Sequence, residues 1–170
     1  PGPRWAGLGQ SLSFLAEMAH YGAAPTEFRF LNQGEPIRIG FPKPKYNYSP
    51  LDYLNRILGD SPEGGTPLCR HITAVIQEIR QGEEALRRAG QLACVIIATD
   101  GEASDGDLVA AMRPLKALPV WVVVRLCTNQ DSIVEYWNQV DKELELNMEV
   151  LDDFQGEARE VHRLNPWLTY

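Results

Sequence analysis

A chain of 170 residues with 44% hydrophobic and 23% charged residues has the composition of one globular domain spanning 1–170, which excludes the disordered, collagen-like and low-complexity classes. Sixteen Lys and Arg against 23 Asp and Glu give a formal charge of −7, which argues against nucleic acid or anionic lipid as a partner and favours a cation or a basic surface. The apolar runs Leu92 to Ala98 and Leu118 to Val124 fall well short of the roughly 20 residues that span a bilayer, so no membrane insertion is expected.

From Trp5 to Tyr21 the residues Trp5, Leu8, Leu12, Leu15, Ala16 and Ala19 recur at helical spacing, and Gly22 is placed to end that helix. Pro1-Gly2-Pro3 ahead of it lacks a signal peptide's basic start, and the native start is expected to lie upstream. Phe28, Phe30, Ile37 and Ile39 alternate on either side of Asn32-Gln33-Gly34-Glu35, which predicts two short strands and a tight antiparallel turn. Pro42, Pro44 and Pro50 forbid regular structure from Phe41 to Pro50.

Leu51, Leu54, Ile57 and Leu58 form a short helical stripe closed by Gly59. After the loop Asp60 to Gly65, Thr66 as N-cap with Pro67 at the first helical position opens a helix that buries Leu68, Ile72, Val75, Ile76 and Ile79 and ends at Gly90. Cys94 to Ala98 and Val120 to Val124 are continuous apolar runs, as expected of strands covered on both faces. Between them Asp107 to Leu118 reads as a helix interrupted by Pro114. A further helix from Asp131 to Leu144 turns Ile133, Val134, Trp137 and Val140 inward, a strand runs from Met148 to Leu151, and a last helix is expected over Gly156 to Leu164. The alternation predicts an α/β fold with a mostly parallel sheet.

The three cysteines Cys69, Cys94 and Cys127 are odd in number and form no Cys-x-x-Cys pair, which favours a reducing, intracellular compartment, and Cys94 and Cys127, in or beside apolar runs, read as small hydrophobes. His20, His71 and His162 stand singly, and neither a G-x-S-x-G nor a phosphate-loop lysine is present. In a parallel sheet, ligands bind outside the carboxyl ends of the strands. Asp100 follows such an end, with Gly101 allowing close approach, and Thr66 sits at a loop-to-helix junction. A hydroxyl and a carboxylate are hard oxygen donors suited to magnesium. Taken singly, Thr66 reads as an N-cap and Asp100 as the start of a loop. The acidic residues Glu102, Asp105 and Asp107 read first as partners of a helix dipole.

The opening helix, the Phe28 to Ile39 hairpin, the Gly65-Thr66 loop before a long helix and the run Val95 to Gly101 together resemble the von Willebrand factor A domain family over nearly the whole chain. The resemblance implies a Rossmann-like, three-layer doubly wound sheet, mostly parallel, with one antiparallel edge strand. It also implies a metal-ion-dependent adhesion site at the top of that sheet, with Thr66 and Asp100 as magnesium ligands and Gly65, Gly101 and Glu102 facing a partner. The function so implied is non-catalytic protein binding, an acidic side chain of the partner completing the metal shell. The family's first strand and its Asp-x-Ser-x-Ser loop have no match here, and that segment is expected upstream of Pro1. Ser11 and Ser13 lie within the helical stripe and do not replace it. With one hydroxyl and one carboxylate, this chain alone is expected to bind magnesium weakly. Two alternatives stay open: a metal-free interaction scaffold, and a metal-assisted hydrolase or phosphoryl-transfer enzyme using Asp100 and Glu102.

Overall fold

The alternation of Phe28 with Phe30 and of Ile37 with Ile39 builds an antiparallel hairpin in the computed structural model, which describes residues 3–42, 47–61, 63–128, 130–151, 162–163 and 165–167. Its strands are β1 (Thr26–Phe30) and β2 (Gln33–Ile39), with Phe28 opposite Ile37 and Thr26 opposite Ile39. The turn is tighter and earlier than the sequence suggests, because Phe30 already faces Gln33. The register shifts between Phe28 and Phe30, and Gly34 takes the positive φ of +51° that a bulge on the opposing strand requires.

Chain contacts divide the molecule into two compact units, residues 1–65 and 66–170. In the first unit, α1 (Pro3–Tyr21) and α2 (Pro50–Gly59) pack with the hairpin around Ala16, Ala19, Phe28, Ile37, Ile39, Leu54, Ile57 and Leu58. Small residues on α1 bring the two helices together, and the Trp5 indole donates to the carbonyl of Leu58 near the end of α2 at 3.0 Å, satisfying a group the helix leaves open. Ser49 caps α2, its hydroxyl accepting from the Asp52 N–H, and Pro50 opens the helix. The stripe read along α1 is only partly buried: Leu15 is exposed, as are Phe14, Met18 and Tyr21, whereas Ala16 and Ala19 are the residues in the core.

The second unit holds α3 (Leu68–Ala89), β3 (Ala93–Thr99), α4 (Leu108–Met112), β4 (Val120–Leu126), α5 (Asp131–Leu144) and β5 (Met148–Leu151). Pro114 stops α4 early, and residues 113–117 continue as a 3-10 turn. Gly90 ends α3 in the left-handed conformation, at φ +63°. The strands form a parallel sheet in the order β3-β4-β5, with Ile97 beside Val124 and Val124 beside Val150. Val122, Val124, Leu126 and Ile97 point to one face and are buried, together with Ile72, Ile76, Trp137 and Val140 from the helices. Each such side chain stabilises the fold by about 1.5–3 kcal/mol.

Two corrections to the sequence reading follow. Among the described residues the strands β3 and β4 are covered on one face, not two: Ile96 is 56% exposed, and Cys94 and Trp121 on the same face are exposed as well. Successive right-handed crossovers that advance in one direction across a sheet all land on the same side, so β3-β4-β5 gathers its helices on one face. The hairpin is, in addition, a sheet of its own. Among the described residues no antiparallel strand borders the parallel sheet, and β3 is hydrogen-bonded to a strand only on its β4 side. The helix expected over Gly156 to Leu164 falls almost entirely outside the described residues, as does Pro44 of the proline loop.

Candidate functional site

At the carboxyl end of β3 the chain turns through Asp100 and Gly101 into a loop, residues 100–107, that lies against the start of α3. Thr66 and Ser104 join the two segments by reciprocal bonds: the Thr66 N–H donates to the Ser104 hydroxyl at 3.0 Å, and the Ser104 N–H donates to the Thr66 carbonyl at 2.9 Å. The Thr66 hydroxyl faces Gly101, 3.8 Å from where a β-carbon on that glycine would stand. Thr66 and the Asp100-Gly101 turn therefore occupy the same end of the sheet although they are distant in sequence.

Thr66 is not the N-cap of α3. The helix begins at Leu68, Pro67 occupies the cap position, and no side chain of the preceding loop closes it. The carboxylate of Asp105 does so instead, accepting from the N–H of Cys69 at 2.9 Å and of Arg70 at 3.0 Å. This leaves the Thr66 hydroxyl without a hydrogen bond among the described residues, half-buried and available. Asp107 caps α4 in the ordinary way, its carboxylate accepting from the Ala110 N–H at 3.0 Å. Two of the three acidic residues thus serve helix N-termini, while Glu102 and Asp100 are exposed and make no side-chain hydrogen bond among the described residues.

The charge states follow from these contacts. Partial desolvation pushes the Asp105 carboxyl up, but the hydrogen bonds from the Arg70 and Cys69 backbones and the Cys69 thiol outweigh it and hold the group below the ordinary carboxylate value. Burial, reinforced by Asp105, pushes the Cys69 thiol up to about 11. Burial also raises the Tyr136 phenol, against a backbone hydrogen bond at Ala103 that lowers it, and the nearby Glu102 charge raises it further.

Gly65 belongs to the first unit, where its carbonyl accepts from the Asn32 side-chain amide at 2.7 Å. Thr66 Oγ1 and the Asp100 carboxylate are hard oxygen donors of the kind magnesium takes, but they supply two of the roughly six ligands it requires. Among the described residues no three His, Cys, Asp or Glu side chains converge as a metal-binding group. Nor is any helix there long and apolar enough to cross a membrane. A cavity of about 110 Å³ lies at the opposite end of β4, lined by Leu115, Lys116, Val120, Val122, Glu145 and Asn147, away from these residues.

Ser104 is the site residue that motif reasoning does not reach, since a serine in an acidic loop has no distinctive spacing. Asp105 serves a helix N-terminus as its charge suggests, but that of α3 and not that of the helix that follows it. No family model, curated protein or solved structure matches this chain.

Proposed function

We propose that the chain is a non-catalytic protein-binding module of the von Willebrand factor A type, built on that family's Rossmann-like α/β plan. The partner is captured at a magnesium ion held by Thr66 and Asp100, with Gly101 and Glu102 around it and an acidic side chain of the partner entering the shell. The observation that carries this reading is the release of the Thr66 hydroxyl from helix capping, because Asp105 does that work from the loop that begins at Asp100. A threonine that merely capped α3 would have its oxygen engaged by a backbone N–H. Among the described residues β3 has a strand partner on its β4 side alone, which leaves room for a further strand beside it, as in the family's sheet.

The test is magnesium titration followed by the amide resonances of Thr66, Asp100 and Gly101, together with partner capture in magnesium and in chelator. Weak, millimolar-range binding localised to those amides, lost in Thr66→Ala and Asp100→Asn, is the expected result. Partner capture that ignores chelator, with no response at those amides, would establish the metal-free scaffold instead.

A further inference from the structure

We propose that Tyr136 and Trp137, adjacent on α5, are the positioning residues of the Thr66–Asp100 site: they grip the loop from behind, so that its geometry is set by α5 before any ion arrives. The inference rests on the cation reading for its purpose, though not for its physical content. Trp137 is fully buried, and its indole N–H donates to the Gly101 carbonyl at 3.2 Å. A buried indole needs such an acceptor, so this bond fixes the loop as much as it satisfies the ring. Thr99 holds the same residue from the strand side: the Gly101 N–H donates to Thr99 Oγ1, and that hydroxyl donates back to the Gly101 carbonyl, both at 3.2 Å. Both polar groups of the Gly101 backbone are therefore engaged.

Tyr136 stands edge-on to Trp137, with ring centres 5.7 Å apart, and the Ala103 backbone is near enough to its phenol to counter, in part, the upward push of burial and of Glu102 on that group. Ser104 and Asp105 secure the far end of the loop to Thr66 and to α3. Between residues 100 and 105 the two carboxylates without hydrogen bonds are Asp100 and Glu102, which the grip leaves presented to solvent. A loop ordered in this way loses little freedom when a ligand binds, so the affinity of a weak, two-donor site depends on it.

The experiment compares the full chain with Trp137→Phe and Tyr136→Phe, each of which keeps an aromatic ring and removes one hydrogen-bonding group. Amide hydrogen exchange without metal is read first. Trp137→Phe should accelerate exchange at Gly101 by roughly three- to ten-fold, the value of one hydrogen bond, with Val122 and Val124 in β4 unchanged. Tyr136→Phe should do the same at Ala103, and it decides the matter if Trp137→Phe does not fold. In the magnesium titration the indole N–H resonance, identified by its absence in Trp137→Phe, should shift together with the Thr66 amide, and either variant should need roughly three- to ten-fold more magnesium. Unchanged exchange at Gly101 and Ala103, or acceleration spread equally through β4, overturns the positioning role. Localised acceleration with no magnesium response in the unaltered chain upholds the grip and overturns the cation reading alone.

Discussion

Asp105 caps a helix that begins 37 positions before it: one carboxylate oxygen accepts from the Cys69 N–H, while the other takes the N–H of Arg70. The bond closes a loop of chain that includes all of α3 and β3, so the end of the sheet and the start of the helix are one structure. Removing the carboxylate should loosen both. Because the folded Asp105 titrates below its ordinary value of 3.8, its stabilisation is present above that pH and is lost as pH falls through the folded value. Asp105→Ala should therefore melt at lower urea than the parent at pH 6, with the gap narrowing at pH 3. A gap of equal size at both pH values would contradict the capping role.

The thiols should sort by environment. Cys94 is exposed, and Cys69 is buried with its titration raised from 9.0 to about 11 by burial first and Asp105 second. The thiolate is the reacting form. Alkylation at pH 8.5 should modify Cys94 promptly and Cys69 only after denaturant is added. Between pH 9 and 11 the unfolded chain releases the Cys69 proton before the folded one does, so this group lowers stability as pH rises through that window. Equal labelling of the two thiols in the native protein would rule out the burial described for Cys69.

Two neighbouring substitutions test the one-sided sheet. Ile97 is 7% exposed and Ile96 is 56% exposed. Ile97→Asp buries an unpaired charge at a cost comparable to a whole domain's stability of about 5–15 kcal/mol, and the protein should not fold. Ile96→Asp should leave a cooperative melting transition in place. Loss of folding in both variants would restore the doubly covered strand expected from the sequence.

In the hairpin unit, Gly40 combines a left-handed backbone with the most crowded surroundings of the described glycines. It has φ +78°, and a β-carbon there would stand 2.6 Å from the Ala19 carbonyl oxygen and closer still to that of Ala24. Conformation alone makes Gly40→Ala destabilising by about 1–3 kcal/mol, and the collision with backbone adds to it. Thermal melting should show a marked drop, against no comparable change for Gly7→Ala, where the space is open.

Helices and strands were legible wherever one chemical signal governs them. The bounds of α5 and β5 coincide with those read from the sequence, because helical period and strand length leave little choice there. The apolar run Cys94 to Ala98 marks a strand correctly but says nothing of how many faces are covered, since Ile96 would be written the same way buried or exposed. Strand order decides that, and order is a long-range property. The meeting of Thr66 with Gly101 was foreseeable from the rule that ligands gather at strand carboxyl ends. The transfer of the capping role from Thr66 to Asp105 was not, since it depends on a contact between distant segments.

Among the described residues no strand pairs with the outer edge of β3, and this bears on how the protein behaves in concentrated solution. That edge presents a ladder of backbone donors and acceptors along Cys94-Val95-Ile96-Ile97-Ala98, a run with neither a charge nor a proline to discourage a strand from another molecule. The exposed Ile96 and Trp121 side chains beside it would be buried by such stacking. Mutual repulsion between copies that each carry a charge of −7 is the opposing influence, and it acts over about 10 Å at 0.1 M salt and about 3 Å at 1 M. Salt that screens this charge, or acidification that neutralises it, lowers the barrier to pairing between these edges of separate molecules.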